Sequence, residues 1–158
     1  MKIAEICSSP AFVAYPDQAL AVAAREMRTR DVGALVVVAA GDARQCPLGM
    51  LTDRDIVLGQ VNQATDLRCL TVGDVMTHHP LCVQADVEIT EAMALLASRV
   101  VRRAPVVDRA GTLVGIVTLD DLLPAIAQQL QELADTVTPQ PRRHAHTTPA
   151  RAGGTAYS

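Results

Sequence analysis

Gly49-Met50-Leu51-Thr52-Asp53-Arg54-Asp55-Ile56-Val57 returns 66 residues later as Gly115-Ile116-Val117-Thr118-Leu119-Asp120-Asp121-Leu122-Leu123. In both copies a glycine opens a short apolar run, a threonine closes it, and an acid stands three residues after the threonine. An apolar run leading into Thr-x-x-Asp reads as a buried strand running into a capped helix. A phrase repeated at this length makes internal duplication the organising feature of the chain. Upstream, Asp17 matches Asp86 at an offset of 69, and Leu20, Ala23, Ala24 and Met27 match Ile89, Ala92, Met93 and Leu96. The change of three in the offset falls in 40–46, where a loop tolerates insertion.

Each copy reads in the same order. A short extended piece (Phe12–Ala14, Leu81–Val83) leads to an Asp, Asp17 or Asp86, suited to capping a helix. Apolar residues then recur at helical spacing, giving one buried stripe. Two strands follow, Ala34–Val38 and Leu48–Leu51 in the first copy, Pro105–Val107 and a run ending at Val117 in the second. A closing helix starts after Thr52 or Thr118. The expected fold class is therefore α/β (α+β): two β-α-β-β-α repeats packed as a pseudo-twofold pair, since neither alone could cover both faces of its sheet. The expected divisions are repeat 1 over 5–64, a linker over 65–77 with a possible helical turn at Thr71–Met76, and repeat 2 over 78–134. Residues 135–158, interrupted by prolines and a Gly153-Gly154 pair, are expected to be a disordered tail. Pro124 should kink the last helix, beyond which the stripe Leu122, Ile126, Leu130, Leu133 continues.

Composition narrows the function classes. The 158 residues are 49% hydrophobic and 20% charged, enough for a real core. Residues 1–138 carry a net charge of −6, whereas the last 20 residues carry three arginines and no acid. An acidic body with two Tyr, one Phe and no Trp is a poor nucleic-acid binder. No apolar run approaches the roughly 20 residues that cross a bilayer, and the start of the chain lacks a secretory signal, so a cytoplasmic location is expected. Cys7, Cys46, Cys69 and Cys82 form no C-x-x-C pair and read as thiols used as small hydrophobes; no metal cluster or catalytic constellation is expected.

The repeated phrase admits two readings. Thr52-x-x-Asp55 and Thr118-x-x-Asp121 make reciprocal capping boxes in any helix. They also put a carboxylate beside free N–H groups and the positive end of a helix dipole, where phosphate and ribose hydroxyls are welcome. Gly49 and Gly115 would let the backbone come close to such a ligand.

These residues resemble a family. The G-h-h-T-x-x-D-h-h ending (h, apolar), the strand Arg103-Ala104-Pro105-Val106-Val107-Asp108 and the repeat order are similar to tandem CBS (cystathionine β-synthase-type) domains, closest to stand-alone bacterial pairs. The resemblance covers roughly residues 5–134. It implies two clefts between the repeats that take AMP, ADP, ATP or S-adenosylmethionine, with no cofactor required and no enzymatic role. Carried over by residue, one cleft would use Thr118, Asp120, Asp121 and Arg103, with Val13, Ala14 and Pro16 around the base. The other would use Thr52, Arg54 and Asp55, with Val83 and Ala85. Arg103, 18 residues before Asp121, has no basic counterpart in the first repeat, so the Thr118 cleft is expected to be preferred. The implied protein is a homodimeric regulator of an unknown protein partner. The alternative is a dimeric interaction scaffold whose clefts stay empty.

Overall fold

The computed structural model describes residues 1–63 and 66–137. The expected order appears twice. Repeat 1 runs β1 (Val13–Ala14), α1 (Leu20–Arg30), β2 (Ala34–Val38), β3 (Pro47–Thr52) and α2 (Asp53–Gln63). After the short helix α3 (Val72–Val75) and β4 (Thr77–His78), repeat 2 runs β5 (Val83–Gln84), α4 (Ile89–Ser98), β6 (Arg103–Val107), β7 (Leu113–Thr118) and α5 (Leu119–Val137). The sheets have the orders β1-β2-β3-β4 and β5-β6-β7. Registers match at the offsets read from the sequence: Ala34 faces Thr52 in one antiparallel pair, and Arg103 faces Thr118 in the other.

Each repeat has its own apolar core, built from the stripes that the periodicity marks. Leu20, Ala23 and Met27 are buried with Val37 and Leu51, and Ile89, Ala92 and Leu96 with Val106 and Val117. Met93, which matches Ala24, lies instead 40% exposed.

The segments ahead of the repeats are exchanged. β4 pairs with β3 of repeat 1, while Ser8 bridges Ile116 on β7 of repeat 2. Around α1, the Leu20 N–H donates to Leu70 O (2.8 Å) and Val72 N–H to Gln18 O (2.9 Å). A shift of 69 residues gives the reciprocal bonds, and they are present: Ile89 N–H donates to Met1 O (3.2 Å) and Ile3 N–H to Val87 O (3.0 Å). Ile3 and Val72 are both fully buried, one in each core.

This docking corrects the expected caps. The N-cap residues are Ala19 and Glu88, neither with a side-chain capping bond, because the first N–H of each helix is met by a carbonyl of the docked segment. Asp17 is not a cap, and Asp86 pairs with Arg109 instead (2.7 Å). α5 runs through Pro124 without ending and reaches Val137, so 135–137 are helical; the rest of the tail, 138–158, lies outside the described residues. Among the described residues no helix is long and apolar enough to cross a membrane.

Candidate functional site

Strand β3 ends at Thr52 and β7 at Thr118, and each threonine faces the start of its partner strand across the ladder. Helices α2 and α5 begin on the next residue, so both Thr-x-x-Asp phrases sit at helix N-termini. Both form the capping box. Asp55 Oδ2 accepts from Thr52 N–H (2.9 Å) and Thr52 Oγ1 (2.7 Å), and Asp55 N–H donates back to Oγ1 (3.1 Å). Asp121 Oδ2 accepts from Thr118 N–H and Oγ1, each at 2.8 Å, and its N–H returns at 3.3 Å. One carboxylate oxygen of each pair is thus committed to the cap, and among the described residues Oδ1 of neither accepts a bond.

Gly49 and Gly115 have a different role from the one expected. A Cβ at Gly49 would lie 2.8 Å from Met76 Sδ and from Thr77 O; one at Gly115 would lie 2.7 Å from Ser8 O. The absent side chains make room for the docked segments of this chain, not for a ligand.

Two clefts separate the repeats. The larger, about 630 Å³, is lined by Thr52, Asp53, Arg54 and Asp55 at the start of α2, by Thr77, His79, Pro80 and Leu81, and by the run 99–103 of repeat 2. The smaller, about 280 Å³, is lined by Thr118 and Asp120, by Ser8, Pro10, Ala11 and Phe12, by the run 32–34, and by Arg103. Nearly every wall of one corresponds to a wall of the other at offset 66 or 69. The larger falls inside the usual range of roughly 300–1,000 Å³ for small-molecule sites, and the smaller stands at its lower edge.

The expected residues divide between these walls and other places. Thr52, Arg54 and Asp55 come together in the larger cleft, and Thr118, Asp120 and Arg103 in the smaller. Asp121 instead lines a shallow depression with Met1, Glu5 and Pro124. Val13, Ala14, Pro16, Val83 and Ala85 line neither cleft. Val13 and Ala14 pair with Val36 and Val37, Ala14 and Val83 are fully buried in the cores, and Pro16 O accepts from Gly73 N–H (2.8 Å). Ala85 N–H donates to Val107 O (2.8 Å) and its carbonyl accepts from Ala4 N–H (2.9 Å). The cleft walls come instead from residues a few positions upstream, 8–12 and 77–81.

Charge is distributed opposite to the expectation. Arg54, Arg99, Arg102 and Arg103 all line the larger cleft, and none forms an ion pair among the described residues. The smaller cleft has Arg103 as its one arginine, with Asp120 also on its wall, and its Phe12 ring is covered by Arg30, whose guanidinium carbon lies 4.4 Å from the ring centroid. At the larger cleft's rim, Val100 closes α4 in a Schellman motif: Val101 N–H reaches Leu96 O (3.1 Å) and Val100 N–H reaches Ala97 O (3.1 Å). That motif puts Val100 at φ 53°, a conformation β-branched residues resist, with its side chain 91% exposed. His79, also left-handed at φ 49°, joins the same wall. Arg99, Arg102, His79 and Val100 were missed from the sequence, although shifting 32–34 by 69 would have found 101–103.

Two β-α-β-β-α repeats with exchanged leading segments and paired clefts define a duplicated two-cleft module. The CBS-domain profile matches residues 3–61 and 72–128, and the chain belongs to the CBS-domain family. It is 31% identical over 123 residues to an uncharacterised protein of Methanopyrus kandleri, covering 78% of this chain and 61% of that protein. The CBS domain-containing protein YhcV of Bacillus subtilis is 38% identical over 119 residues, 75% of this chain and 79% of YhcV. Among solved structures, CBSX2 in complex with AMP superposes with a TM-score of 0.68 at 26% identity, over 82% of this chain and 98% of that one.

Proposed function

We propose that the chain is a regulatory module that senses an adenine nucleotide or adenosyl ligand, held in the cleft of Thr52 and Asp55. The observation that carries this reading is the set of four arginines without ion pairs around the start of α2, inside a body of net negative charge. The four guanidinium groups outnumber the two carboxylates of the same cleft, Asp53 and Asp55, and a phosphate meets that excess with charge-assisted bonds. The start of α2 adds the positive end of its dipole, while its first three N–H groups donate to Gly33 O, Asp53 Oδ1 and Thr52 Oγ1. Asp55 Oδ1 is left to accept from ribose hydroxyls, while Pro80, Leu81, Val100 and Val101 supply apolar surface for a base. The AMP bound by CBSX2, a structural relative, supports the adenine part.

This choice of cleft departs from the preference for Thr118, which rested on Arg103 serving that side alone. Occupancy would bias how the two repeats sit, and a protein partner would read that difference. A homodimer fits the same role. Leu123, Leu130, Leu133 and Val137 follow a 3-4 spacing with Ile126 along α5 and are each more than 60% exposed. The positions flanking that seam, Ala127, Gln129, Ala134 and Thr136, carry no charge to repel a second copy. Light scattering would give a dimer mass for the wild type and a monomer for Leu130→Glu.

Thermal shift with AMP, ADP, ATP, S-adenosylmethionine and adenosine tests the ligand. At 100 times its dissociation constant a ligand stabilises by about 2.7 kcal/mol, a melting shift of roughly 5–10 °C at this size. Arg102→Ala should reduce the AMP shift and spare that of adenosine. No shift with any of the five at millimolar concentration would favour the empty scaffold.

A further inference from the structure

Among the described residues, Arg103 is the one side chain that lines both clefts. It opens β6, where its backbone is paired with Thr118, so only the side chain is free to swing. Its duplicate in repeat 1 is Ala34, which lines the smaller cleft and carries no charge. One cation near the pseudo-twofold axis therefore stands where symmetry would supply two.

The guanidinium reaches from repeat 2 into repeat 1, donating through Nη1 to Gly33 O at 2.9 Å. The same carbonyl accepts at 3.3 Å from the N–H of Asp53, the first residue of α2. A Cβ at Gly33 would lie 3.4 Å from both Arg103 Nη1 and Asp53 Oδ2, so both side chains converge on this residue. A guanidinium has five N–H donors in a planar fork, and only one bond is made here among the described residues. The others are available to an anion on either side, but the fork aligns with one phosphate at a time.

We propose that Arg103 couples the two clefts antagonistically: a phosphate-bearing ligand in the Thr52 cleft weakens such a ligand in the Thr118 cleft by withdrawing its cation. The inference rests on the reading that the clefts accept nucleotide phosphates, and it adds the rule by which they communicate. The arginines that remain are unequal. The Thr52 cleft keeps Arg54, Arg99 and Arg102 when Arg103 turns away, whereas the Thr118 cleft is left with Asp120 and no arginine. Linkage makes the coupling free energy the same in both directions, so a ligand forced into the Thr118 cleft weakens the other by the same factor.

The backbone amide signals of Thr52 and Thr118 report the clefts separately in an NMR titration of the whole chain with AMP. Arg54→Ala/Arg102→Ala disables the larger cleft while leaving the Thr52–Asp55 cap in place. The expected result is that Thr118 saturates at roughly 5- to 10-fold lower AMP in this double variant than in the wild type, within the usual range of site-to-site coupling. In an Arg103→Ala background the same pair of substitutions should leave the Thr118 midpoint unchanged, because the shared group is gone. Equal Thr118 midpoints in the wild type and the double variant would overturn the inference while leaving nucleotide binding intact. So would a shift that persists without Arg103, since that is direct repulsion between anions. Failure of both amides to respond to AMP in the wild type would instead overturn the nucleotide reading, and this inference with it.

Discussion

Substituting Gly115 by alanine tests the exchange of leading segments, on which the relative placement of the repeats depends. The added Cβ would lie 2.7 Å from Ser8 O and 3.0 Å from Cys7 Sγ, both well inside ordinary contact distance. The Ser8 carbonyl cannot retreat alone, because it accepts from Ile116 N–H at 3.0 Å while Ser8 N–H donates to Ile116 O at 2.9 Å. Two responses are open. The strand pair can spread, at the overpacking cost of about 1–3 kcal/mol. Alternatively the segment can detach, which exposes the fully buried Ile3 and loses roughly 1.5–3 kcal/mol of apolar burial besides the bonds. The cheaper response sets the outcome, so Gly115→Ala should cost about 1–3 kcal/mol and lower the melting temperature by roughly 3–10 °C. Hydrogen exchange separates the two: detachment deprotects Ser8 and Ile3 together, whereas spreading weakens Ser8 first. An unchanged melting temperature with full Ser8 protection would refute the reasoning.

Two further outcomes follow from local geometry. Val100→Asn should raise stability by about 1 kcal/mol, because asparagine tolerates the left-handed conformation and the 91% exposed valine side chain gives up little packing; a calorimetric melt checks it. Asp66 is held at a pKa of about 2, first by the Arg68 guanidinium bond (2.6 Å) and then by the Arg68 N–H. A depressed carboxyl pKa favours the fold above the unfolded value near 3.8, and that contribution is lost as pH falls from there through about 2. Arg68→Ala should return the Asp66 titration, followed by carboxyl NMR, toward its ordinary range.

The duplication was legible because burial leaves a period in the residues that pack. Leu20, Ala23 and Met27 answer to Ile89, Ala92 and Leu96, and all six are buried as the stripes require. Strand order followed for the same reason, with boundaries moving by a residue or two. What carries no period was not legible. β4 has two residues, too short to alternate, and 1–9 hold only a single turn of 3-10 helix, so the exchange of 1–9 and 66–78 between repeats left no pattern to read. Its one trace was Gly49 and Gly115, and a glycine looks the same whether a ligand or a neighbouring strand comes close. Asp17 and Asp86 looked like caps because a capping preference is local, while the partner that replaced them arrives from a distant part of the chain. The cleft walls lie a few residues upstream of the expected ones for a related cause: Ala14 and Val83 are apolar and extended, as a base pocket needs, but the cores claim them. Arg103 was assigned to the Thr118 cleft, which it lines, but its bond to Gly33 in the other repeat and its place in the larger cleft as well leave no mark in the sequence.

The central claim is that the arginine-lined cleft of Thr52 and Asp55 holds a nucleotide by its phosphate. Isothermal titration of AMP into the wild type and into Arg54→Ala/Arg102→Ala tests it most directly, because these side chains leave the capping box and both cores untouched. The account predicts saturable binding to the wild type and affinity at the larger cleft at least about tenfold weaker in the variant. Equal AMP affinity in the two proteins, or no heat of binding to the wild type at millimolar AMP, would contradict it.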